Sequence, residues 1–216
     1  MSKRRMDYSL YLVTDRGLSR GRSTLEIVRA AVRGGVTCVQ LREKTGAIRA
    51  FIEEALRVKA FLDSCGVPLI INDRVDVALA VGADGVHLGQ SDLPLAAARS
   101  LVGPAMVIGI SVESVRDAVE AQAAGADYLG VSPVFATPTK TDTAAPLGLA
   151  GLRAIREAVK TPLVAIGGLN RDNAAAAIRN GADGVAVVSA IVAADDPEQA
   201  ARAIRLEIDT ARQPWA

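Results

Sequence analysis

Short apolar runs alternate with longer amphipathic stretches along the whole chain. The runs are Leu10–Thr14, Cys38–Leu41, Leu69–Ile71, Gly85–Leu88, Val107–Ile110, Tyr128–Val131, Leu163–Ile166 and Gly184–Val188. Their length and apolar content are those of strands buried on both faces. Helical patterns fill most of the gaps, over Thr24–Arg33, Ile48–Leu62, Val75–Val81, Leu93–Leu101, Val115–Ala124, Leu149–Val159, Asn173–Arg179 and Pro197–Ala211. Strand and helix in strict alternation predict βαβ units and a parallel sheet, an α/β fold. Eight strands predict closure into a (β/α)8 (TIM) barrel. An open doubly wound sheet is the competing architecture, but no Gly-x-Gly-x-x-Gly follows the first strand.

A degenerate repeat punctuates the pattern. Gly82-Ala-Asp-Gly-Val, Gly125-Ala-Asp-Tyr-Leu and Gly181-Ala-Asp-Gly-Val each stand between a helix and the next strand, and Gly34-Gly-Val-Thr-Cys is a weaker copy. The first Gly suits a left-handed helix end, and Ala-Asp then turns the chain into the strand. Such turns belong to the N-terminal face of a barrel, the face of stability and not of catalysis. Asp84, Asp127 and Asp183 are therefore expected to be structural.

Composition narrows the reading. A chain of 216 residues suits one domain, 1–216, near the lower limit for a full barrel. Half the residues are hydrophobic but only 3% are aromatic, so the core is expected to be Val, Ile, Leu and Ala. The net charge of +1 excludes the basic face of a nucleic-acid binder and an acidic tail. Cys38 and Cys65 fit neither a metal spacing nor a disulfide framework, which points to a reducing, cytoplasmic setting. The basic start Met1–Met6 is followed by no apolar h-region, so no signal peptide is expected, and no apolar run reaches membrane-span length. One long gap, Ser132–Leu147, is rich in Thr, Pro and Lys, as a mobile functional loop over the active face would be.

Reactive groups in a barrel sit just beyond the strands. After the second comes Gln40-Leu-Arg-Glu-Lys44. Alternation puts Gln40 and Arg42 on one face toward the barrel mouth, with Lys44 at the rim, a set that would hold an anion. A solvated strand end with a Glu43–Lys44 pair is the plainer alternative. Asp73 and Asp92 follow neighbouring strands and fit either a shared Mg²⁺ or two helix N-caps. Ser111 would bond a substrate or cap a helix. Thr137-Pro-Thr-Lys140 reads as an anion clamp or a polar loop tip. Gly167-Gly168 and Val188-Ser189 occupy the loops that recurrently bind phosphate in barrels. His87, the single histidine, is expected to be structural. With that single histidine read as structural, no Ser–His or Cys–His nucleophile system is expected, and zinc lacks its ligands. Electrostatics from anion-binding groups and a metal should carry the chemistry.

Taken together, these residues resemble the thiamine phosphate synthase family, also called thiamine-phosphate pyrophosphorylases. The markers are Tyr11-Leu-Val-Thr-Asp15, Gln40-Leu-Arg-Glu-Lys44, Asn72-Asp73, Val86-His-Leu-Gly-Gln-Ser-Asp92, Thr137-Pro-Thr-Lys140, Ala165-Ile-Gly-Gly168 and Val188-Ser-Ala-Ile191. The resemblance implies a transferase that joins 4-amino-5-hydroxymethyl-2-methylpyrimidine diphosphate to 4-methyl-5-(2-phosphoethyl)thiazole. Pyrophosphate leaves first, and the thiazole nitrogen captures the pyrimidine cation. By position, Gln40, Leu41, Arg42, Glu43, Lys44, Asn72, Ser111 and Lys140 would hold the pyrimidine diphosphate, with Arg42, Ser111 and Lys140 the catalytic members. Asp73 and Asp92 would bind Mg²⁺. Thr137, Pro138, Thr139, Gly168, Val188 and Ser189 would hold the thiazole phosphate. The partners expected are these two small molecules, with a homo-oligomer left open. Relatives that act as thiazole tautomerases, or that have lost transferase activity, lack the Thr-x-Thr-Lys pattern, which this chain keeps.

Overall fold

The computed structural model describes residues 6–44, 46–137 and 145–213. Eight parallel strands pair in chain order and close on themselves: β1 Leu10–Val13, β2 Cys38–Leu41, β3 Leu69–Asn72, β4 Gly85–Leu88, β5 Val107–Val112, β6 Tyr128–Val131, β7 Leu163–Ala165 and β8 Gly184–Val187. The last strand pairs with the first, Leu10 against Val185 and Leu12 against Val187. The outer ring is α1 Thr24–Arg33, α2 Ile48–Cys65, α3 Val75–Val81, α4 Leu95–Val102, α5 Val115–Ala123, α6 Gly148–Ala158, α7 Arg171–Arg179, the short α8 Ser189–Val192 and α9 Pro197–Arg212. No helix among the described residues is long and apolar enough to cross a membrane.

Strand alternation divides the core into two shells. Leu10, Leu12, Val39, Leu41, Leu69, Ile71, Val86 and Leu88 face outward and pack with the helices. Tyr11, Val13, Cys38, Ile70, Val107, Tyr128, Val164 and Ala186 face inward and fill the barrel. The expected aliphatic core holds for the outer shell apart from Phe51, but three tyrosines, Tyr8, Tyr11 and Tyr128, crowd the inner one.

Element boundaries differ where local chemistry overrides periodicity. β5 runs on to Val112 because Ser111 and Val112 still pair with Gly130 and Val131. α4 starts at Leu95, after Pro94, and α7 starts at Arg171 because Asn170 and Asn173 form a capping box ahead of it. The 3-10 turn Arg16–Leu18 and α8 are too short to show a period.

The repeat resolves into four equivalent clasps on the N-terminal face. In each, a glycine adopts positive φ after a helix: Gly35, Gly82, Gly125 and Gly181. The next residue then donates to a carbonyl five residues back, as Ala83 does to Ala78. Asp84, Asp127 and Asp183 each exchange two hydrogen bonds with the start of the preceding strand. The carboxylate accepts from Leu69, Ile108 or Leu163 N–H at 2.8–2.9 Å, and the Asp N–H donates back to the carbonyl of the same residue. In the weaker copy the Thr37 hydroxyl does the same for Leu10 at 3.1 Å. Arg99 and Arg156 pair with Asp127 and Asp183 at 2.6 and 3.0 Å, so the helix before each tied strand is anchored as well.

Replacing Asp127 by Ala strips the Ile108 N–H of its acceptor and leaves Arg99 without this carboxylate. The expected loss is about 1–3 kcal/mol of unfolding free energy, with a smaller loss for Asp127→Asn, which keeps an acceptor oxygen. Urea unfolding reads this directly, and an unchanged midpoint in Asp127→Ala would show that the clasp carries no load.

Candidate active site

The C-terminal ends of the strands open into a cavity of about 740 Å³, within the usual range for small-molecule sites. The alternation that sends Leu41 into the outer shell sends Gln40 inward, and likewise Asn72, His87 and Ser111 on β3, β4 and β5. These four line the cavity, as do Arg42, Lys44, Asp73, Asp92, Thr137, Gly168, Val188 and Ser189. Two members of the predicted Gln40–Lys44 set have side chains directed elsewhere. Leu41 packs among the helices, and Glu43 reaches the Gly46 N–H at 3.0 Å and Arg16 at 3.4 Å. The alternation that favours Gln40 and Arg42 is the reason. Pro138, Thr139 and Lys140 lie outside the described residues.

Among the described residues, each cation that lines the cavity has an anionic neighbour. Asp15, at the end of β1, accepts from Arg42 Nη1 at 3.1 Å, and Thr14 Oγ1 accepts the Arg42 N–H. Lys44 Nζ stands 2.5 Å from Asp73 Oδ2, so the Glu43–Lys44 pair considered from sequence is replaced by a bridge across strands. Arg42 is thus aimed before any ligand arrives, and Lys44 neutralises part of a carboxylate cluster.

Asp73 and Asp92 form that cluster. Neither caps a helix: the N-cap of α3 is Arg74 and that of α4 is Pro94. Asp92 instead curls back to accept the Gly89 N–H at 2.7 Å. Its carboxyl is held above the ordinary Asp range, first by burial and then by contact with the Asp73 carboxylate. Asp73 sits at φ 59°, a left-handed conformation rare outside glycine, and its N–H is fixed to the His87 carbonyl at 2.8 Å. Two crowded carboxylates on a constrained turn suit a divalent cation with oxygen ligands. No group of three or more His, Cys, Asp or Glu gathers for a metal among the described residues. The pair would therefore share its cation with water or with a bound phosphate.

Ser111 does not cap α5, a task done by Ser114, whose hydroxyl accepts the Asp117 N–H. It lies within β5, faces inward, and stands 2.9 Å from His87 Nε2. Beside it, the segment beyond β6 folds onto the glycine turn after β7. Val134 and Phe135 N–H donate to the Ile166 and Gly167 carbonyls. A Cβ on Gly168 would lie 2.5 Å from the Ala136 carbonyl oxygen, so only glycine allows this approach, which brings Thr137 to the same cavity as Gly168.

Sequence reasoning missed Tyr11 and Tyr128 as cavity residues and set His87 aside as structural. All three line the cavity floor. A signal was present: each occupies an inward strand position, and glycines at 109 and 130 stand in register with Tyr128 and Ser111 on the neighbouring strands.

Comparisons with known proteins bear on the family and the fold. The family described as Thiamine monophosphate synthase matches residues 10–191. The chain is 56% identical to a thiamine-phosphate synthase of Chloroflexus aurantiacus over 208 residues, 96% of each chain. It is 56% identical to one of Syntrophomonas wolfei, covering 92% of this chain and 95% of that one. Among solved structures, a thiamine phosphate pyrophosphorylase from Pyrococcus furiosus superposes with a TM-score of 0.89 at 41% identity, covering 96% of this chain and 98% of that one. With the barrel, the cavity and these likenesses in agreement, the chain belongs to the thiamine monophosphate synthase family.

Proposed function

We propose that the barrel, as one catalytic domain, joins 4-amino-5-hydroxymethyl-2-methylpyrimidine diphosphate to 4-methyl-5-(2-phosphoethyl)thiazole, giving thiamine phosphate and pyrophosphate. The observation that carries this reading is a single cavity lined by Arg42, Lys44 and the Asp73–Asp92 carboxylate pair and also by the Gly167–Gly168 turn and Val188-Ser189. Arg42, Lys44, Asn72 and Ser111 converge on the wall that would take the diphosphate. Gly168, Val188, Ser189 and Thr137 line the other, where the thiazole phosphate would be held without reacting.

The reaction is the one that the family resemblance implies. The bond between the pyrimidine methylene carbon and the diphosphate oxygen breaks, and its electron pair leaves with the diphosphate. The thiazole nitrogen lone pair then forms the new carbon–nitrogen bond. No proton has to move in either step. The residues therefore need only bind, orient and stabilise charge. Arg42, pre-aimed by Asp15, would take diphosphate oxygens through its planar fork. Lys44 would exchange Asp73 for the anion, and Ser111 would add a neutral donor. Asp73 and Asp92 would hold Mg²⁺, which neutralises charge on the departing diphosphate. The parts given to Pro138, Thr139 and Lys140 rest on the family resemblance. Chemistry confined to phosphorylated metabolites also suits the cytoplasm.

Purified protein given both substrates and Mg²⁺ is expected to yield thiamine phosphate, and excess EDTA to stop it. Absence of product, or undiminished turnover in EDTA, contradicts the proposal. Asp73→Asn should cut turnover by at least about 100-fold with the fold retained by circular dichroism. Wild-type rates would remove Asp73 from the metal site.

Metal-free stability gives a separate check. The Asp92 carboxyl holds its proton more tightly in the folded chain than in the unfolded one. Its contribution therefore turns against folding as pH rises through the range above 3.8. Asp92→Asn is expected to raise the urea midpoint of metal-free protein at pH 7, and Mg²⁺ to stabilise the wild type but not the variant. A lowered midpoint in Asp92→Asn would contradict the crowding of the two carboxylates.

A further inference from the structure

A chain of side-chain hydrogen bonds crosses the barrel floor from β2 to β5. Gln40 Nε2 donates to Tyr11 Oη at 2.9 Å, and Tyr11 Oη lies 2.9 Å from Tyr128 Oη. Tyr128 Oη lies 2.9 Å from His87 Nδ1, and His87 Nε2 lies 2.9 Å from Ser111 Oγ. Each hydroxyl has one hydrogen to give, so the direction of the chain is decided at its end. The Gln40 amide nitrogen can only donate. Tyr11 therefore accepts there, and among the described residues the remaining place for its own hydrogen is Tyr128. Pointing the Tyr11–Tyr128 bond the other way would bury the Tyr11 hydrogen without an acceptor, the costliest option for a fully enclosed group. Tyr128, having accepted, gives its hydrogen to His87 Nδ1. A neutral imidazole then carries its hydrogen on Nε2 and donates it to Ser111. Burial holds both phenols neutral, well above the usual tyrosine range, so neither can act as an anionic acceptor at physiological pH.

The floor is shaped for these rings. A Cβ on Gly109 would stand 2.1 Å from the Tyr128 ring, and one on Gly130 would stand 2.9 Å from His87 Cε1. Two inward positions carry no side chain, and the rings of Tyr128 and His87 fill the space.

We propose that Gln40, Tyr11, Tyr128 and His87 form a one-way relay that fixes Ser111 as a hydrogen-bond acceptor toward the floor and so presents its hydroxyl hydrogen to an anion in the cavity. Tyr128 and His87 are positioning residues; Ser111 is the group that touches the diphosphate. The last step rests on the transferase reading above, while the direction of the relay does not. A hydroxyl that arrives already committed as a donor need not reorient as charge builds on the leaving group, and such pre-aimed donors are effective at developing anions.

The chain has one histidine, so one set of ring signals reports the relay. Long-range ¹⁵N–¹H correlation on ligand-free protein at neutral pH should show the Nε2–H tautomer of His87. An Nδ1–H tautomer overturns the relay. In steady-state kinetics, Tyr128→Phe should lower kcat by about tenfold and move KM for the diphosphate substrate less than about twofold. Added to Ser111→Ala it should cost nothing further, because both act through one hydroxyl. Multiplying losses overturn the proposal. Should Tyr128→Phe fail to fold, His87→Gln and His87→Asn replace it. Gln places an amide donor near the Nε2 position and should retain most of the activity, while Asn should not; equal losses overturn the directed donor. Nε2–H in a wild type that makes no thiamine phosphate would sink the transferase reading and leave the relay direction standing. Product from a wild type in the Nδ1–H form would sink the relay alone.

Discussion

In a closed barrel of parallel strands a side chain has two destinations. It faces the helices or it faces the axis, and the next residue takes the other side. Closure removes any edge at which this choice could slip, because every strand is pinned in register by two neighbours. The site follows from that constraint. Gln40, Asn72, His87 and Ser111 are inward residues at the ends of four consecutive strands, and the backbone alone brings them to one floor. Leu41, between Gln40 and Arg42, is committed to the outer shell by the same rule. The clasps at the opposite face serve this arrangement from below: each fixes where a strand begins, and so which of its residues reach the mouth.

On that frame the charged groups are arranged under tension. Asp73 is held in an uncommon backbone conformation and Asp92 is pressed against it, while Lys44 offsets part of the charge. A folded protein built for stability alone would separate two carboxylates. Their crowding makes sense if a cation is due there. Arg42 is treated differently. Asp15 holds it in place without burying the pair, so it remains available at the cavity wall. One cation is provisionally engaged with a would-be metal ligand and the other is braced from behind, which gives the two different freedoms when an anion enters.

Periodicity made the architecture legible, and the glycine-led repeat marked the N-terminal turns correctly as structural. Strand parity placed Gln40 and Arg42 at the cavity, and position beyond the strands found Lys44, Asn72, Asp73, Asp92 and Ser111. What these missed has physical causes. Whether Asp73 and Asp92 cap helices depends on where α3 and α4 begin, and Pro94 moves the second start beyond Asp92. Ser111 looked like a candidate cap because β5 runs further than its apolar run shows. His87 looked solitary because its partners, Tyr128 and Ser111, come from other strands and become neighbours only on closure. The family resemblance supplied the substrates, which no count of residues or spacing could.

The buried polar chain is the hardest feature to explain by stability. An apolar filling of the barrel floor would cost less than two enclosed phenols, a histidine and an amide, since each buried polar group must recover by hydrogen bonding what it loses in hydration. The chain recovers it only by being complete, and completeness forces a single direction. A partly satisfied chain would be worse than none, which makes Gly109 and Gly130 as much a part of the device as the rings that they admit. The floor therefore holds one proton arrangement, and the group at its open end is a serine that faces the wall assigned to the leaving diphosphate. The barrel supplies the geometry, and the hydrogen-bond chain gives that geometry a polarity.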